Sequence, residues 1–325
     1  MSFREQLRLF AHIGALPALA TGEETLIGGQ AVLEGVMMRA PHSYCVAVRK
    51  PAGQMVTDER PLPKISEKYP IFRYPVLRGL GTLGQAMALG VRALQFSAKA
   101  AIEGSAPEGT KKEVPGWVMA LNLAASLLFF LFLYKFVPLY LATEVGKSVP
   151  ALKGRIPFNL VDGVIRMTIF VGFLFLISRW KDMRRVFEYH GAEHRVVFNY
   201  ESGKPVTVEN AQSFSTFHPR CGTSFLLVVM LVSIAVYTLL PFDSFLLKLA
   251  GRIALLPVIV GLSYEAIRYA GKHRTGLLAT LTAPGLWLQR ITTKPPSDAQ
   301  TAVAIRALEG AMEIEKLQGG PLVVA

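Results

Sequence analysis

The sequence predicts a mainly α membrane protein with about four transmembrane helices in two hairpins. A small α+β region precedes these helices on the cytoplasmic side, and a helical C-terminal tail follows them. Hydrophobic residues make up 51% of the 325 residues, and the mean hydropathy is +0.37. The apolar residues also lie in long blocks, and short strand-like segments precede the first block. Together these observations are typical of a membrane protein with a sizeable soluble portion.

The N-terminal part predicts two regions. Residues 1–24 combine a basic start with a short, interrupted apolar stretch, which favours an amphipathic segment on the membrane surface over a secretory signal. Residues 25–115 predict the cytoplasmic α+β region. In it, strand-like segments 44–50 and 55–62 flank a Pro/Gly turn. Apolar residues from 76 to 103 recur at helical spacing, which predicts an amphipathic helix or helical hairpin at the membrane surface.

Residues 116–270 form the predicted membrane domain. A bilayer-spanning helix needs about 20 mostly apolar residues. Four stretches are predicted as spans, and they are residues 117–142, 158–180, 223–240 and 246–270. The connection 181–222 between the second and third spans is predicted to be a cytoplasmic metal-binding loop. The cytoplasmic tail, residues 271–325, contains a predicted helix over 297–317.

The distribution of basic residues predicts the orientation of these spans. Residues 1–116 contain 14 Lys and Arg, residues 181–222 contain 6, and the tail after residue 265 contains 7, whereas 143–157 and 241–245 contain 3 and none. Because cytoplasmic segments of membrane proteins are enriched in Lys and Arg, both termini are predicted to be cytoplasmic. The net charge of +12 then suits contact with anionic membrane lipids. RNA binding is the alternative, although no nucleic-acid-binding motif is visible.

The motif "YHGAEHR", residues 189–195, contains the first candidate metal ligands. His190 and His194 are four residues apart, so a helix places both imidazoles on one face, where they can bind one divalent ion. Glu193 can be a ligand, orient a histidine or activate a water molecule as general base. The segment matches the inverted zincin pattern H-x-x-E-H, although so short a pattern is common by chance.

A second pair of candidate ligands lies directly before the third span. His218 and Cys221 are three residues apart in "STFHPRCGTSF", residues 215–225. Imidazole and thiolate are preferred zinc donors, and the adjoining ends of spans two and three are expected to be neighbours, so the two pairs are predicted to share one zinc ion. The alternative is that this pair only caps a helix and that the two histidines are surface groups. Cys45, the other cysteine, is far away in sequence, so no disulfide framework is expected.

The number of ligands decides the role of such a site. If His190, His194, His218 and Cys221 all bind, the site is tetrahedral, closed and structural. If one of them is absent, water can occupy the fourth position, and Glu193 becomes the candidate catalytic base. The sequence leaves both arrangements open.

Several other charged residues carry weaker predictions. Asp162 and Arg166 are four apart inside the second span and are interpreted as a mutually neutralising pair, although intramembrane charges also mark functional sites. Glu34 and Glu265 are candidate further partners of the metal region. The alternatives are a solvated strand end for Glu34 and an ion pair with Arg268 for Glu265.

The sequence contains, in this order, the motifs "GGQAVLEGVMMR", "HGAEHR", "HPRCGTSF" and "APGLWLQRITT". With these four motifs the chain resembles the YqhQ-like family of bacterial membrane proteins. The resemblance covers about residues 25 to 310. The family is of unknown function and is described as predicted metal-dependent enzymes. The resemblance implies a location in the bacterial inner membrane and proximity to translation, around ribosomes or the membrane-protein insertion machinery. It also implies a metal role for His190, Glu193, His194, His218 and Cys221.

Two functional hypotheses follow. The first is a membrane-embedded zinc-dependent hydrolase that acts on lipid headgroups or peptides at the cytoplasmic face. The second is a non-enzymatic scaffold in which a structural zinc supports a basic platform for anionic lipid, ribosome or insertion machinery. A transporter is disfavoured because few polar residues lie within the predicted spans, unless the chain forms a homo-oligomer.

Overall fold

The structure is a computed structural model that describes residues 27–63, 65–103, 116–218, 221–272 and 285–318. The predicted amphipathic segment, residues 1–24, lies outside the described residues. Within them, a small antiparallel sheet precedes a mainly helical remainder. This arrangement confirms the predicted combination of an N-terminal α+β region with a helical protein.

The sheet is a four-stranded antiparallel meander. Its strands β1 to β4, paired in chain order, are Gly28–Val32, Gly35–Arg39, Ser43–Arg49 and Met55–Pro61. The two predicted strands are confirmed as β3 and β4. The first hairpin was not predicted as strands, because β1 opens with two glycines and only two residues separate it from β2. One of those two, Glu34, has a φ of 52°, a left-handed conformation that turns the chain sharply.

The helices of the described residues are named α1 to α12. They are Ile65–Lys68, Leu77–Glu103, Gly116–Leu131, Val137–Ser148, Arg155–Ile177, Lys181–Glu201, Val208–Gln212, Gly222–Thr238, Phe245–Ala254, Leu256–Lys272, 285–292 and Asp298–Gln318. The predicted surface helix over 76–103 is confirmed as α2. The predicted tail helix is confirmed as α12, where the Ser297 hydroxyl accepts a hydrogen bond from the Gln300 N–H and so caps the first turn.

Helices cover both faces of the sheet. Cys45 and Ala47 of β3 face a core formed with α6 and α12, whereas Tyr44, Val46 and Val48 face a second core formed with α2. Because successive side chains of a strand point to opposite faces, a strand covered on both sides is apolar throughout. This explains why β3 is almost entirely buried, and it fixes α6 against the sheet.

Two stretches have the length and composition of membrane-crossing helices. One is Ala120–Ser148, in which the π-helical turn Phe132–Phe136 joins α3 to α4, and the other is α5. Helices α9 and α10 meet the same criterion only as a pair bent by 50°. Helix α8 is apolar but has 17 residues, fewer than the roughly 20 that span a bilayer. Two or three of the four predicted spans are therefore supported by length and composition.

The helix that carries "YHGAEHR" is confirmed, but it does not continue the second span. Helix α5 ends at Ile177, the chain turns, and α6 begins at Lys181. The connection 181–222 is therefore largely helical rather than an irregular loop, with α6 followed by α7. Helix α6 is amphipathic, and its apolar side packs against the sheet and α12. This packing explains why the two helices are separate. Helix α6 packs against the sheet and α12, whereas α5 has the composition of a membrane-crossing helix.

Candidate metal centre

Helix α6 presents His190 and His194 side by side. Their ring centroids are 4.5 Å apart, as expected for two positions separated by about one helical turn. His194 is 2% exposed, and the side chain of His190 is partly buried. Helix α6 thus places two imidazoles next to each other, one buried and one partly buried.

Backbone carbonyl groups orient both imidazoles. The Nδ1 atom of His190 lies 2.8 Å from the carbonyl oxygen of Thr292, and that of His194 lies 2.5 Å from the carbonyl oxygen of Thr216. Because a carbonyl oxygen only accepts, each Nδ1 must carry the hydrogen, and each Nε2 has a free lone pair. The Nε2 atom of His194 is buried and has no hydrogen-bond partner within the part of the chain that the structure describes. Histidines oriented in this way are typical of metal ligands.

Cys221 lies close to these two imidazoles, at the start of another helix. It is the residue directly before α8, and its Sγ lies 3.3 Å from His190 Nε2. Ligand atoms of His190, His194 and Cys221 all lie within 4.8 Å of one another. With zinc–ligand bonds of about 2.0–2.3 Å, the edges of a tetrahedral site measure about 3.3–3.8 Å. The three side chains therefore fit a zinc ion in donor type and need only small adjustments in distance.

The carboxylate of Glu193 lies beside this group. Its Oε2 is 3.8 Å from His190 Nε2 and 3.9 Å from His194 Nε2, and the residue is 7% exposed. Gly29 of β1 provides the space for it, because a Cβ at that position would lie 2.8 Å from Glu193 Cγ. Glu193 can therefore serve as a further ligand or as a base beside a bound ion.

His218 is adjacent to this group but lies outside it. Its ring centroid is 5.6 Å from that of His194, and its Nε2 is 3.5 Å from a carboxylate oxygen of Glu201. Burial lowers the pKa of His218 to about 4, with only partial opposition from the Glu193 charge, so this imidazole is neutral near pH 7. The structure thus brings three of the four candidate ligands together, and the imidazole of the fourth, His218, lies next to that of His194.

The other candidate residues lie apart from the metal centre. Glu34 accepts hydrogen bonds from Arg185 at 2.5 Å, and Glu265 forms its ion pair with Arg78. Asp162 and Arg166 do form the predicted ion pair. Cys45 is in the sheet core, where burial raises the pKa of its thiol to about 12.

Sequence reasoning missed several residues that build the site. Thr216 and Thr292 act through their carbonyl groups, which any residue carries, so their identity gives no signal. Gly191 allows the chain after α11 to pass close to α6, because a Cβ there would collide with the carbonyl oxygen of Lys294. The Lys294 N–H also donates to the Phe187 carbonyl oxygen at 2.9 Å. This close passage positions the Thr292 carbonyl beside His190.

Comparisons with known proteins identify the family. A family model described as "Protein of unknown function (DUF1385)" matches residues 74–314. The chain is also 36% identical over 299 residues to the uncharacterized protein YqhQ of Bacillus subtilis (strain 168), a match that covers 89% of this chain and 93% of that protein. No solved structure matches. The chain therefore belongs to the DUF1385 family of proteins of unknown function, in agreement with the YqhQ-like resemblance of its motifs.

Proposed function

We propose that this protein is a multi-pass protein of the bacterial inner membrane that binds zinc at its cytoplasmic face and acts there as a metal-dependent hydrolase. One observation carries the metal assignment. The donor atoms of His190, His194 and Cys221 converge, and the buried Nε2 of His194 has no hydrogen-bond partner among the described residues. A buried polar atom without a partner is costly, and a bound cation removes that cost.

The exposed surface of the helices supports the membrane assignment. Leu127, Leu128 and Phe129 of α3 are each more than half exposed, as are Val164 and Leu176 of α5. Large contiguous apolar surfaces are rare on monomeric soluble proteins and mark contact with lipid or other proteins. The basic segments then favour a cytoplasmic location for both termini and for α6, and hence for the metal centre.

The ligand arrangement favours hydrolysis. His190, His194 and Cys221 would hold a zinc ion through three protein ligands, the number typical of catalytic zinc sites, and the ion would make hydroxide available near pH 7. The Thr216 and Thr292 carbonyl groups keep the imidazoles in the tautomer that binds metal through Nε2. Glu193 lies on the same side, and its Oε2 is placed to accept a proton from the attacking water. Lipid headgroups or peptides near the bilayer are the proposed substrates.

A second candidate function is a scaffold with a structural zinc. It is favoured by His218, which is buried next to His194 and could complete a closed four-ligand site after a small movement. In this case zinc would fasten α6 to the start of α8. The basic cytoplasmic surface would then bind anionic lipid, ribosome or insertion machinery, as a monomer or a homo-oligomer.

Metal content is the first test. The detergent-purified wild-type protein is expected to contain about one zinc ion per chain, because one candidate cluster is found among the described residues. His190→Ala and Cys221→Ser are expected to lose this ion. Cys45→Ala is the matched control, because it removes the other cysteine from a position outside the site and should retain the metal. A folded wild-type protein without bound metal would contradict both candidate functions.

Cobalt substitution distinguishes the two functions without a known substrate. In the hydrolase, azide should bind at the fourth position of the cobalt-loaded protein and change its visible spectrum. In the scaffold, a closed site should leave the spectrum unchanged by azide, and His218→Ala should open it. Glu193→Gln should keep the metal in either case. In the hydrolase it should also remove hydrolysis once a substrate is found, by about a hundredfold or more.

A further inference from the structure

A basic cavity lies at the end of the helix bundle opposite the candidate metal centre. It is small and partly open to solvent, and it lies between the start of α5, the end of α8 and helix α9. One carboxylate, that of Asp243, and four cationic side chains line it. The four cationic residues are Lys153, Arg155, Lys248 and Arg252. Helix α8 separates Cys221 from Tyr237, another lining residue, by about 24 Å at 1.5 Å per residue. The cavity is therefore distinct from the metal centre.

A buried ion cluster forms the inner wall of this cavity. Arg252 is 2% exposed and donates to Asp162 at 2.5 Å and to Asn159 at 2.8 Å. Asp162 is fully buried and is shared with a second guanidinium, that of Arg166. One carboxylate thus serves two buried arginines, and the cluster carries an excess positive charge.

A further basic group, Lys135, lies beside this cluster. It is buried and donates at 2.8 Å to the hydroxyl of Tyr237, a neutral group that lines the cavity. The Nε of Arg166 is also buried and has no hydrogen-bond partner in the described part of the chain. Burial of unbalanced charge is costly, and in membrane helices it marks a functional site. An anion in the adjoining cavity would supply the missing negative charge.

The entrance of the cavity is also suited to an anion. Lys153 and Arg155 are exposed and form no ion pair with any residue that the structure describes. Helices α5 and α9 both begin next to the cavity, and neither has a side-chain cap at its N-terminus. The N-terminus of a helix favours negative charge because its first N–H groups are unpaired and its dipole is positive there.

We propose that this cavity binds a phosphate group, supplied either by the headgroup of an anionic phospholipid or by free phosphate. Guanidinium groups pair with phosphate oxygens in a bidentate manner. Phe158, Leu240 and Phe242 give the cavity an apolar side next to its charges, which suits the glycerol and acyl parts of a lipid. Only the location of the cavity rests on the proposed membrane crossing. In a membrane, the cavity would lie on the face opposite the metal centre.

Binding of defined probes tests this site. The detergent-purified full chain is titrated with phosphatidylglycerol, with phosphatidylcholine of the same acyl chains, and separately with inorganic phosphate. Native mass spectrometry counts bound lipid, and calorimetry measures phosphate. The variant Lys153→Gln/Arg155→Gln changes two exposed cations and should fold normally. It is expected to weaken binding by at least about tenfold, which corresponds to about 1.4 kcal/mol, because hydrogen bonds to charged groups are stronger than those between neutral groups. Lys147→Gln is the matched control, an exposed lysine nearby that pairs with Glu144.

The probes separate the two sources. Tight binding of phosphatidylglycerol that the double variant weakens, without phosphate binding, supports a lipid headgroup. Phosphate binding with the same dependence on Lys153 and Arg155 supports free phosphate. Equal retention of the two lipids together with no phosphate binding would overturn the proposal, as would equal binding by wild type and double variant. Cys221→Ser should lose metal but keep anion binding, and a wild-type protein that needs no detergent would contradict the membrane crossing alone.

Discussion

The protein has two buried polar clusters, one at the start of α8 and the other beside its last two turns, and they are built on different principles. The candidate metal centre consists of imidazoles and a thiol, with one carboxylate beside them, and backbone carbonyl groups hold the imidazoles in place. The other cluster consists of full charges, in which Asp162 is shared by Arg166 and Arg252. Burial of neutral donor atoms costs less than burial of charges, and their unpaired lone pairs suit a cation, whereas burial of excess cationic charge favours an anion. The two ends are thus prepared for ligands of opposite charge.

The largest effect is expected from Asp162→Asn. This change leaves two buried guanidiniums without their shared carboxylate, and removal of one partner from a buried ion pair typically costs about 3–5 kcal/mol. The free energy of unfolding in detergent measures it. Asp243→Asn is the control, because that carboxylate is exposed at the same end and should change stability by less than about 1 kcal/mol. Equal effects of the two changes would contradict the charge-based description of this cluster.

Removal of metal is expected to have the next largest effect. If zinc binds only the folded protein, free zinc at 100 times its dissociation constant stabilises it by about 2.7 kcal/mol, and a chelator should remove that stabilisation. Thermal unfolding with chelator, and again after zinc is restored, measures this. His194→Ala should unfold at the same temperature with and without zinc, whereas Cys45→Ala should respond as the wild type does. A zinc response that survives in His194→Ala would place the metal elsewhere.

A third cluster, which joins β3 to α12, predicts a pH dependence. Glu315 accepts hydrogen bonds from the backbone and ring nitrogens of His42 at 2.9 and 2.8 Å and from the Ser43 hydroxyl at 2.8 Å. Burial alone raises the pKa of Glu315, but these hydrogen bonds outweigh it and lower the pKa below its ordinary value. The carboxylate therefore stabilises the fold above the ordinary glutamate pKa, and this stabilisation is lost as the pH falls through the lowered pKa.

Glu315→Gln tests this dependence. Near pH 7 it should lower the free energy of unfolding by about 1.5 kcal/mol, as expected for hydrogen bonds to a charged group. The difference from wild type should shrink as the pH falls below the ordinary glutamate range. Unfolding measured across this pH range provides the test, and a difference that does not change with pH would contradict a role of the charge.

The smallest effect is expected from Lys147→Ala. Lys147 donates to Glu144 at 2.7 Å, but both side chains are largely exposed, so water screens the pair. The expected loss of stability is the smallest of these changes and should decrease further at high salt. The same unfolding measurement detects it. A loss close to that of Asp162→Asn would mean that burial does not set the cost of ion-pair removal in this protein.

The elements that the sequence predicted well are those encoded by local patterns. The periodicity of "YHGAEHR" predicted two imidazoles on one helical face, and His190 and His194 occupy such positions. The apolar block over 158–180 predicted α5, and the strand-like segment 44–50 before a Pro/Gly turn predicted β3. By contrast, the β1–β2 hairpin escaped prediction, since its strands are short and its turn depends on a left-handed residue, Glu34.

The partners of the charged residues were harder to predict. Asp162 and Arg166 are four apart and were expected to pair, but Arg252, 90 residues from Asp162, joined them only through tertiary packing. In the metal centre, the Thr216 and Thr292 carbonyl groups escaped prediction, because every residue carries such a group. His218 was expected among the ligands, and only the path of the chain around it placed its imidazole near Glu201.

By itself, the sequence determined the helical periodicity, the apolar blocks, the excess of basic residues and the set of side chains able to bind a metal. These properties depend on residue type and on spacing of one or two turns. Only the tertiary structure decided which donors converge, which carboxylate lies beside them and which buried cations share Asp162. Those contacts join residues far apart in the chain, and they form because the apolar faces of the helices and the sheet must pack against one another.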